Sequence, residues 1–184
     1  VRVLVAYGST HGGTAELASA VAEELVARGF NAEVENAATV TDVTGYDAAI
    51  IGGSLYWDRW QHDARELVER CSDQLHAMPV WLFSSGPTDG SAAGGSLAPV
   101  PQVQRLARGI DIAGHTTFGG VMKSAPGQLL RRFTPATRVG DFRDRDQVSE
   151  WVARIAKSLR ERVASGLPQP RDPDVSARDR AITG

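Results

Sequence analysis

The stretch VAYGSTHGGTAELA, Val5–Ala18, decides the fold of this chain. An apolar run ends at Gly8, small and hydroxyl residues follow, and from Thr14 a helical spacing begins in which Leu17, Val21 and Leu25 recur every fourth residue. A strand, a glycine-rich turn and a helix in that order aim backbone N–H groups and the positive end of the helix at one point, and such turns hold phosphate. Ser9, Thr10 and Thr14 add hydroxyl donors. The turn contains no lysine, so the Gly-Lys-Ser/Thr ending of a nucleoside-triphosphate loop is missing, and its glycines are not spaced as G-x-G-x-x-G. Glu35, near the end of the next strand, stays open as a ribose ligand, and an ordinary strand-to-helix turn stays open beside the phosphate reading. A phosphatase loop needs a nucleophilic cysteine inside the turn. The one cysteine, Cys71, falls instead in a predicted helix and reads as a small, partly buried residue.

Outward from this turn, strands and helices alternate. Val1–Tyr7 is rich in apolar and β-branched residues and predicts a buried strand, and Gly29 stands where the first helix should stop. Further strands are expected near Ala32–Glu35, over Tyr46–Ile51, over Pro79–Ser84 and over Thr116–Met122. Helices are expected around Asp63–Gln74, with Leu67 and Leu75 on the apolar side, and over Arg145–Val163, where Val148, Val152, Ile155, Ala156, Leu159 and Val163 share a face. Beyond that helix, Ser165–Gly184 has three prolines, scattered charge and little to bury, which predicts a flexible tail behind one domain over residues 1–164. Alternation of this kind implies an α/β fold with a parallel sheet covered on both faces, the five strands in the doubly wound order 2-1-3-4-5. Ligands then bind at the carboxyl ends of the strands, which singles out Gly8–Thr14, Gly52–Gln61 and Ser84–Leu97.

Composition narrows the function. The 184 residues are 42% hydrophobic with a formal net charge of −2, so no overall field draws the protein to nucleic acid or to an anionic membrane. A single cysteine excludes an internal disulfide framework and any multi-cysteine metal or iron–sulfur site. No apolar run approaches the roughly 20 residues of a membrane span, and the chain enters a strand at once, which leads us to expect no signal peptide and a cytoplasmic location. His62, His76 and His115 show no metal-ligand spacing, and no metal site is expected. Asp141 and Asp144 are placed to serve the N-terminus of the last helix.

GSTHGGTAELA resembles the phosphate loop of the flavodoxins, whose pattern is Ser/Thr-x-Thr-Gly-x-Thr. The equivalents are Ser9, Thr10, Gly12, Gly13 and Thr14, with His11 where the family often has threonine. The resemblance implies a flavodoxin-like three-layer sandwich and flavin mononucleotide (FMN), its phosphate held by those hydroxyls and by backbone N–H groups. His11 either adds a donor or points to water. The second loop, GGSLYWDRWQHD, then supplies the ring-side contacts Ser54, Leu55, Tyr56 and Trp57, with either Tyr56 or Trp57 as the ring wall and Trp60 toward substrate. The third, FSSGPTDGSAAGGS, offers Ser84, Ser85, Gly86 and Thr88 to the polar edge of the flavin and supplies no aromatic, which leaves one flavin face open. Carriers that hold the flavin one electron reduced typically have a glycine beside the ring. Here the sequence is Tyr56-Trp57-Asp58-Arg59, and forcing a non-glycine residue to positive φ costs roughly 1–2 kcal/mol. Two-electron chemistry is the expectation.

IIGGSLYWDRWQHDARELVER and GDFRDRDQVSEWVARIAKSL are also similar to flavodoxin-domain proteins related to the menaquinone-dependent protoporphyrinogen dehydrogenases. That resemblance implies hydride transfer from a porphyrinogen-like or other reduced substrate to FMN and on to a quinone, with no obligatory protein acid or base. The segment KSAPGQLLRRFTPATRVGDFRDRD, Lys123–Asp146, corresponds to a basic insertion, in which Lys123, Arg131, Arg132 and Arg138 either attract an anionic substrate or are solvated along a simple connection. An electron carrier between protein partners, a deazaflavin protein and a module without cofactor stay open as alternatives.

Overall fold

The computed structural model describes residues 1–10, 12–56, 59–86, 98–110, 112–122, 140–141 and 144–166. The first strand, β1 (Arg2–Gly8), feeds α1 (Gly13–Ala27), and β2 (Asn31–Asn36) and β3 (Ala48–Tyr56) follow. Next come β4 (Arg59–Trp60), α2 (His62–Arg70), α3 (Ser72–Leu75), β5 (Val80–Ser85), α4 (Pro101–Ile110) and β6 (Gly114–Phe118). A short antiparallel pair, β7 (Val121–Met122) with β8 (Gly140–Asp141), precedes α5 (Arg145–Ala164). The main sheet runs β2-β1-β3-β5-β6, all pairs parallel, with β4 attached antiparallel to β3. Counted as parallel strands alone, this is the expected order 2-1-3-4-5.

The central strands are buried on both faces because helices cover both. Val3, Val5, Ile50 and Phe83 pack with Leu17, Val21 and Leu25 of α1 and with Val152 and Ile155 of α5. Leu4, Ala6, Ile51 and Leu82 point the other way, toward Leu67 of α2, Leu75 of α3 and Val103 of α4. Each of the Val, Leu, Ile and Phe side chains among them contributes about 1.5–3 kcal/mol when fully buried. Phe83, Phe118 and Trp151 meet edge to face with centroids 5.4–6.1 Å apart. The Phe83 ring occupies the space a side chain at position 52 would need, so Gly52 is a packing glycine. At the far end of α1, Gly29 stands at φ +88°, the left-handed stop that its position in the sequence suggests.

Several elements differ from expectation. The residues expected as the loop Gly52–Gln61 instead continue β3 as far as Tyr56, which pairs with Arg59 as Leu55 does with Trp60. The helix expected over Asp63–Gln74 is divided at Cys71, which is 2% exposed, its Sγ 3.8 Å from Thr41 O. Burial pushes its thiol pKa up, in keeping with a packing role. Helix α4 has no counterpart among the expected elements, since Val103 and Ile110 are its only fully buried side chains. The fifth parallel strand stops at Phe118, and Val121–Met122 pair elsewhere. Asp144 caps α5, accepting from Asp146 N at 2.9 Å and Gln147 N at 3.3 Å. The expected tail lies outside the described residues except for Ser165 and Gly166.

Candidate functional site

Three strand ends bring the expected loops together. Gly8 of β1 is level with Gly53 of β3, and Gly53 with Ser84 of β5. Beyond Gly8 the turn is held by Ser9, whose Oγ accepts from Gly12 N at 2.9 Å. A hydroxyl that accepts in this way can still donate its own proton. Gly12 is the residue before α1 and takes φ +84°, and among the described residues nothing lies within 4 Å of where its Cβ would be. Among the described residues no side chain caps α1, and the first intrahelical bond, Glu16 N to Gly12 O at 3.1 Å, leaves the N–H groups of Gly13, Thr14 and Ala15 ahead of it. Thr10 is exposed, Ser9 and Gly13 are partly exposed, and Thr14 is 1% exposed at the floor of the turn. His11 lies outside the described residues.

Beside this turn opens a cleft of about 660 Å³. Its walls are Thr10 from the turn, Ser54 and Tyr56 from β3, Arg59 and Trp60 from β4, and Gln61 and His62 from the start of α2. Tyr56 is 52% exposed at the end of β3. Gln61 ties the cleft to the turn: its Oε1 accepts from Ala64 N at 3.1 Å and occupies the space a Cβ at Gly8 would take. Its own backbone N–H donates to Ser54 O at 2.9 Å, which closes the hairpin. A cleft of this size, with few polar groups converging on an aromatic wall, suits a cofactor.

Trp60 corrects the sequence reading. The sequence places it toward substrate, yet it is 2% exposed, belongs to the core between the sheet and α2, and lies against Gly53. Trp60 is nonetheless among the residues that line the cleft. Its backbone N–H donates to Gln102 Oε1 at 2.8 Å, whereas its indole Nε1 is buried without an acceptor among the described residues. Trp57, the other candidate ring wall, lies outside the described residues.

On the β5 side, Ser84 is fully buried, Ser85 is 7% exposed, and Gly86 has φ +123°. The Gly86 N–H donates to Phe118 O at 3.0 Å, so it is engaged within the sheet rather than held out as a flavin donor. Ser84 Oγ lies 3.0 Å from His115 Nε2. Burial lowers the His115 pKa to about 4, which keeps the imidazole neutral near pH 7 and able to share a hydrogen bond with the serine. Thr88, Lys123, Arg131 and Arg132 lie outside the described residues. Sequence reasoning missed Arg59, Gln61 and His62 as cleft residues. The available signal was their place just past the aromatic pair.

These residues fit FMN. The start of α1 behind Gly12, without a side-chain cap among the described residues, offers a cluster of N–H groups to a phosphate dianion, and half-exposed Tyr56 lines the cleft beside it. Among the described residues no group of His, Cys, Asp and Glu side chains could hold a metal ion, and no helix is long and apolar enough to cross a membrane.

Comparison with known proteins agrees with this geometry. Protoporphyrinogen IX dehydrogenase [quinone] of Escherichia coli K12 is 28% identical over 86 residues, 46% of this chain and 48% of that protein. The chain therefore matches about half the length of its curated relatives. Among solved structures, the rubredoxin oxygen:oxidoreductase of Desulfovibrio gigas superposes with a TM-score of 0.61 at 14% identity, covering 89% of this chain and 37% of that one. A cysteine-to-serine mutant of flavodoxin from Pseudomonas aeruginosa superposes with a TM-score of 0.58 at 18% identity, covering 87% of this chain and 99% of that one. At such identities the likeness is one of fold. The flavodoxin domain profile matches residues 4–119, more than half of the sequence, and the chain belongs to the flavodoxin domain family.

Proposed function

We propose that this protein is an FMN-dependent oxidoreductase that moves two electrons between a protoporphyrinogen-like or other reduced substrate and a quinone, with residues 1–164 as the FMN-binding unit. The family supports a flavin-binding oxidoreductase or electron carrier, and the name of the Escherichia coli relative supports the finer reading. The observation that carries it is the uncapped turn at Gly12 standing beside a cleft walled by a half-exposed tyrosine.

Bound there, FMN supplies reversible acceptance of a hydride equivalent. The protein's part is to bind and orient. Gly12, Gly13 and Thr14 meet the phosphate at the start of α1, with Ser9 and Thr10 donating from the turn. Tyr56 would supply the ring wall, and Ser54 and Leu55 would border it. Ser84 and Ser85 stand on the next strand over, the Ser84 hydroxyl held in place by neutral His115. Because the flavin would carry the chemistry, no side chain is assigned as a catalytic acid or base.

The test begins with the purified protein's visible spectrum and the mass of whatever it releases on denaturation. FMN should be recovered, and a deazaflavin or a colourless protein that gains no flavin spectrum with added FMN would refute the assignment. Photoreduction then separates the enzyme from a carrier. The oxidised spectrum should convert directly to the fully reduced one, and a large accumulated one-electron-reduced form would instead favour single-electron transfer between proteins.

A further inference from the structure

We propose that Arg59 recognises a carboxylate of the reduced substrate at the open end of the cleft. The inference rests on the proposed function and adds a residue to it. Arg59 is exposed, lines the cleft, and among the described residues has no carboxylate partner. His62 beside it is committed to its own helix, with Nε2 3.1 Å from Glu66 Oε1 and Nδ1 2.9 Å from an Arg65 nitrogen. Arg59 is thus the fixed positive charge of the described cleft wall, which includes no carboxylate.

Position distinguishes a substrate carboxylate from the cofactor phosphate. Gly8, where the phosphate turn begins, is level with Gly53, and Tyr56 is three residues further along β3. At about 3.3 Å per residue this puts Tyr56, and Arg59 paired across from it, some 10 Å along the strand direction from Gly8, with Thr10 of the turn on the same cleft. The phosphate has its own donors at the start of α1. Arg59 stands at the ring end, next to the aromatic wall, where a second molecule would approach. A guanidinium is suited to this role because its forked N–H groups match a carboxylate in two parallel hydrogen bonds.

The test uses the full chain loaded with FMN, as wild type, Arg59→Gln and Arg59→Lys. Mesoporphyrin IX, a dicarboxylate that the flavin cannot oxidise as it would a porphyrinogen, serves as the probe, and its dimethyl ester as the uncharged control. Dissociation constants for FMN come from flavin fluorescence, and those for the probes from the flavin difference spectrum. Arg59→Gln should leave the FMN constant within about twofold and raise that for the diacid about tenfold. Arg59→Lys should fall between the two, and the ester should bind wild type and Arg59→Gln alike. Unchanged diacid binding in Arg59→Gln overturns the assignment. So does an FMN constant raised tenfold, because the guanidinium would then serve the phosphate. If wild type binds no FMN, the proposed function fails and Arg59 with it; if wild type binds FMN and the diacid ignores Arg59, only the Arg59 assignment fails.

Discussion

Adding one methyl group at Gly53 tests the floor of the cleft. A Cβ there would lie 2.6 Å from Trp60 Nε1, 2.7 Å from Cε2 and 2.9 Å from Cδ1. Ordinary contact requires about 3.5 Å, so the indole must retreat by nearly 1 Å. It has little freedom to do so. Trp60 is 2% exposed, its strand is paired to Leu55, and its N–H is held by Gln102 Oε1 at 2.8 Å. The hairpin that carries Tyr56 and Arg59 therefore moves with the ring. Overpacking of this kind costs about 1–3 kcal/mol, which for a chain of this length lowers Tm by about 4–8 °C at the middle of that range. Gly53→Ala should also weaken FMN binding, since the displaced hairpin forms the cleft wall. Thermal and urea unfolding of wild type, Gly53→Ala, Trp60→Phe and the double variant give a closed cycle. The smaller phenyl ring should absorb the added methyl, with a coupling of about 1 kcal/mol or more. Gly53→Ala within about 0.5 kcal/mol of wild type, or strict additivity with Trp60→Phe, would refute the claim that the indole is what requires glycine here.

Thr14→Val keeps the buried shape and removes the hydroxyl, so FMN should bind about 10- to 100-fold more weakly with Tm little changed, as expected for a lost hydrogen bond to a charged group; unchanged affinity in a fluorescence titration would move the phosphate elsewhere. His115, with its pKa lowered from 6.5 to about 4, resists in the folded state a proton that the unfolded chain accepts. Its contribution is full above about pH 6.5 and is lost as pH falls toward 4, amounting to at most about 3 kcal/mol. Urea unfolding of wild type and His115→Gln across about pH 4–7 should show the wild-type advantage shrinking as pH falls, and a pH-independent difference would exclude the histidine as its source. Asp144→Ala removes the cap of α5 and should cost about 1 kcal/mol, or about 2–4 °C in Tm by circular dichroism.

Much of the fold can be read from the sequence because period and punctuation agree over long elements. The run from Val3 to Ala6 is apolar at every position, as a strand covered on both faces must be, and Leu17, Val21 and Leu25 follow one face of a helix that stops at Gly29. The first turn is legible for the same reason: its glycine, hydroxyl residues and helix start are adjacent in the chain. Helix α4 is harder to see because it fully buries only Val103 and Ile110. The division of α2 from α3 at Cys71 leaves the apolar period nearly intact, so the sequence reads as one helix.

The ring end of the cleft is less legible because it depends on pairing rather than on composition. SLYWDRW contains three aromatics, and its residue types do not say which of them turn inward. The deciding fact is the pairing register, which sets Leu55 opposite Trp60 and Tyr56 opposite Arg59. Opposed residues share a face, and successive residues alternate, so a shift of one residue would exchange the two pairs. In the observed register Leu55 and Trp60 both face the core, where Gly53 leaves room for the indole. Tyr56 and Arg59 then share the solvent side, a ring face beside a guanidinium. The same two-residue pairing that takes Trp60 away from any substrate brings Arg59 to the aromatic wall. The register that corrects one expected site residue thus also places, among the described residues of the cleft wall, the arginine proposed to meet a substrate carboxylate.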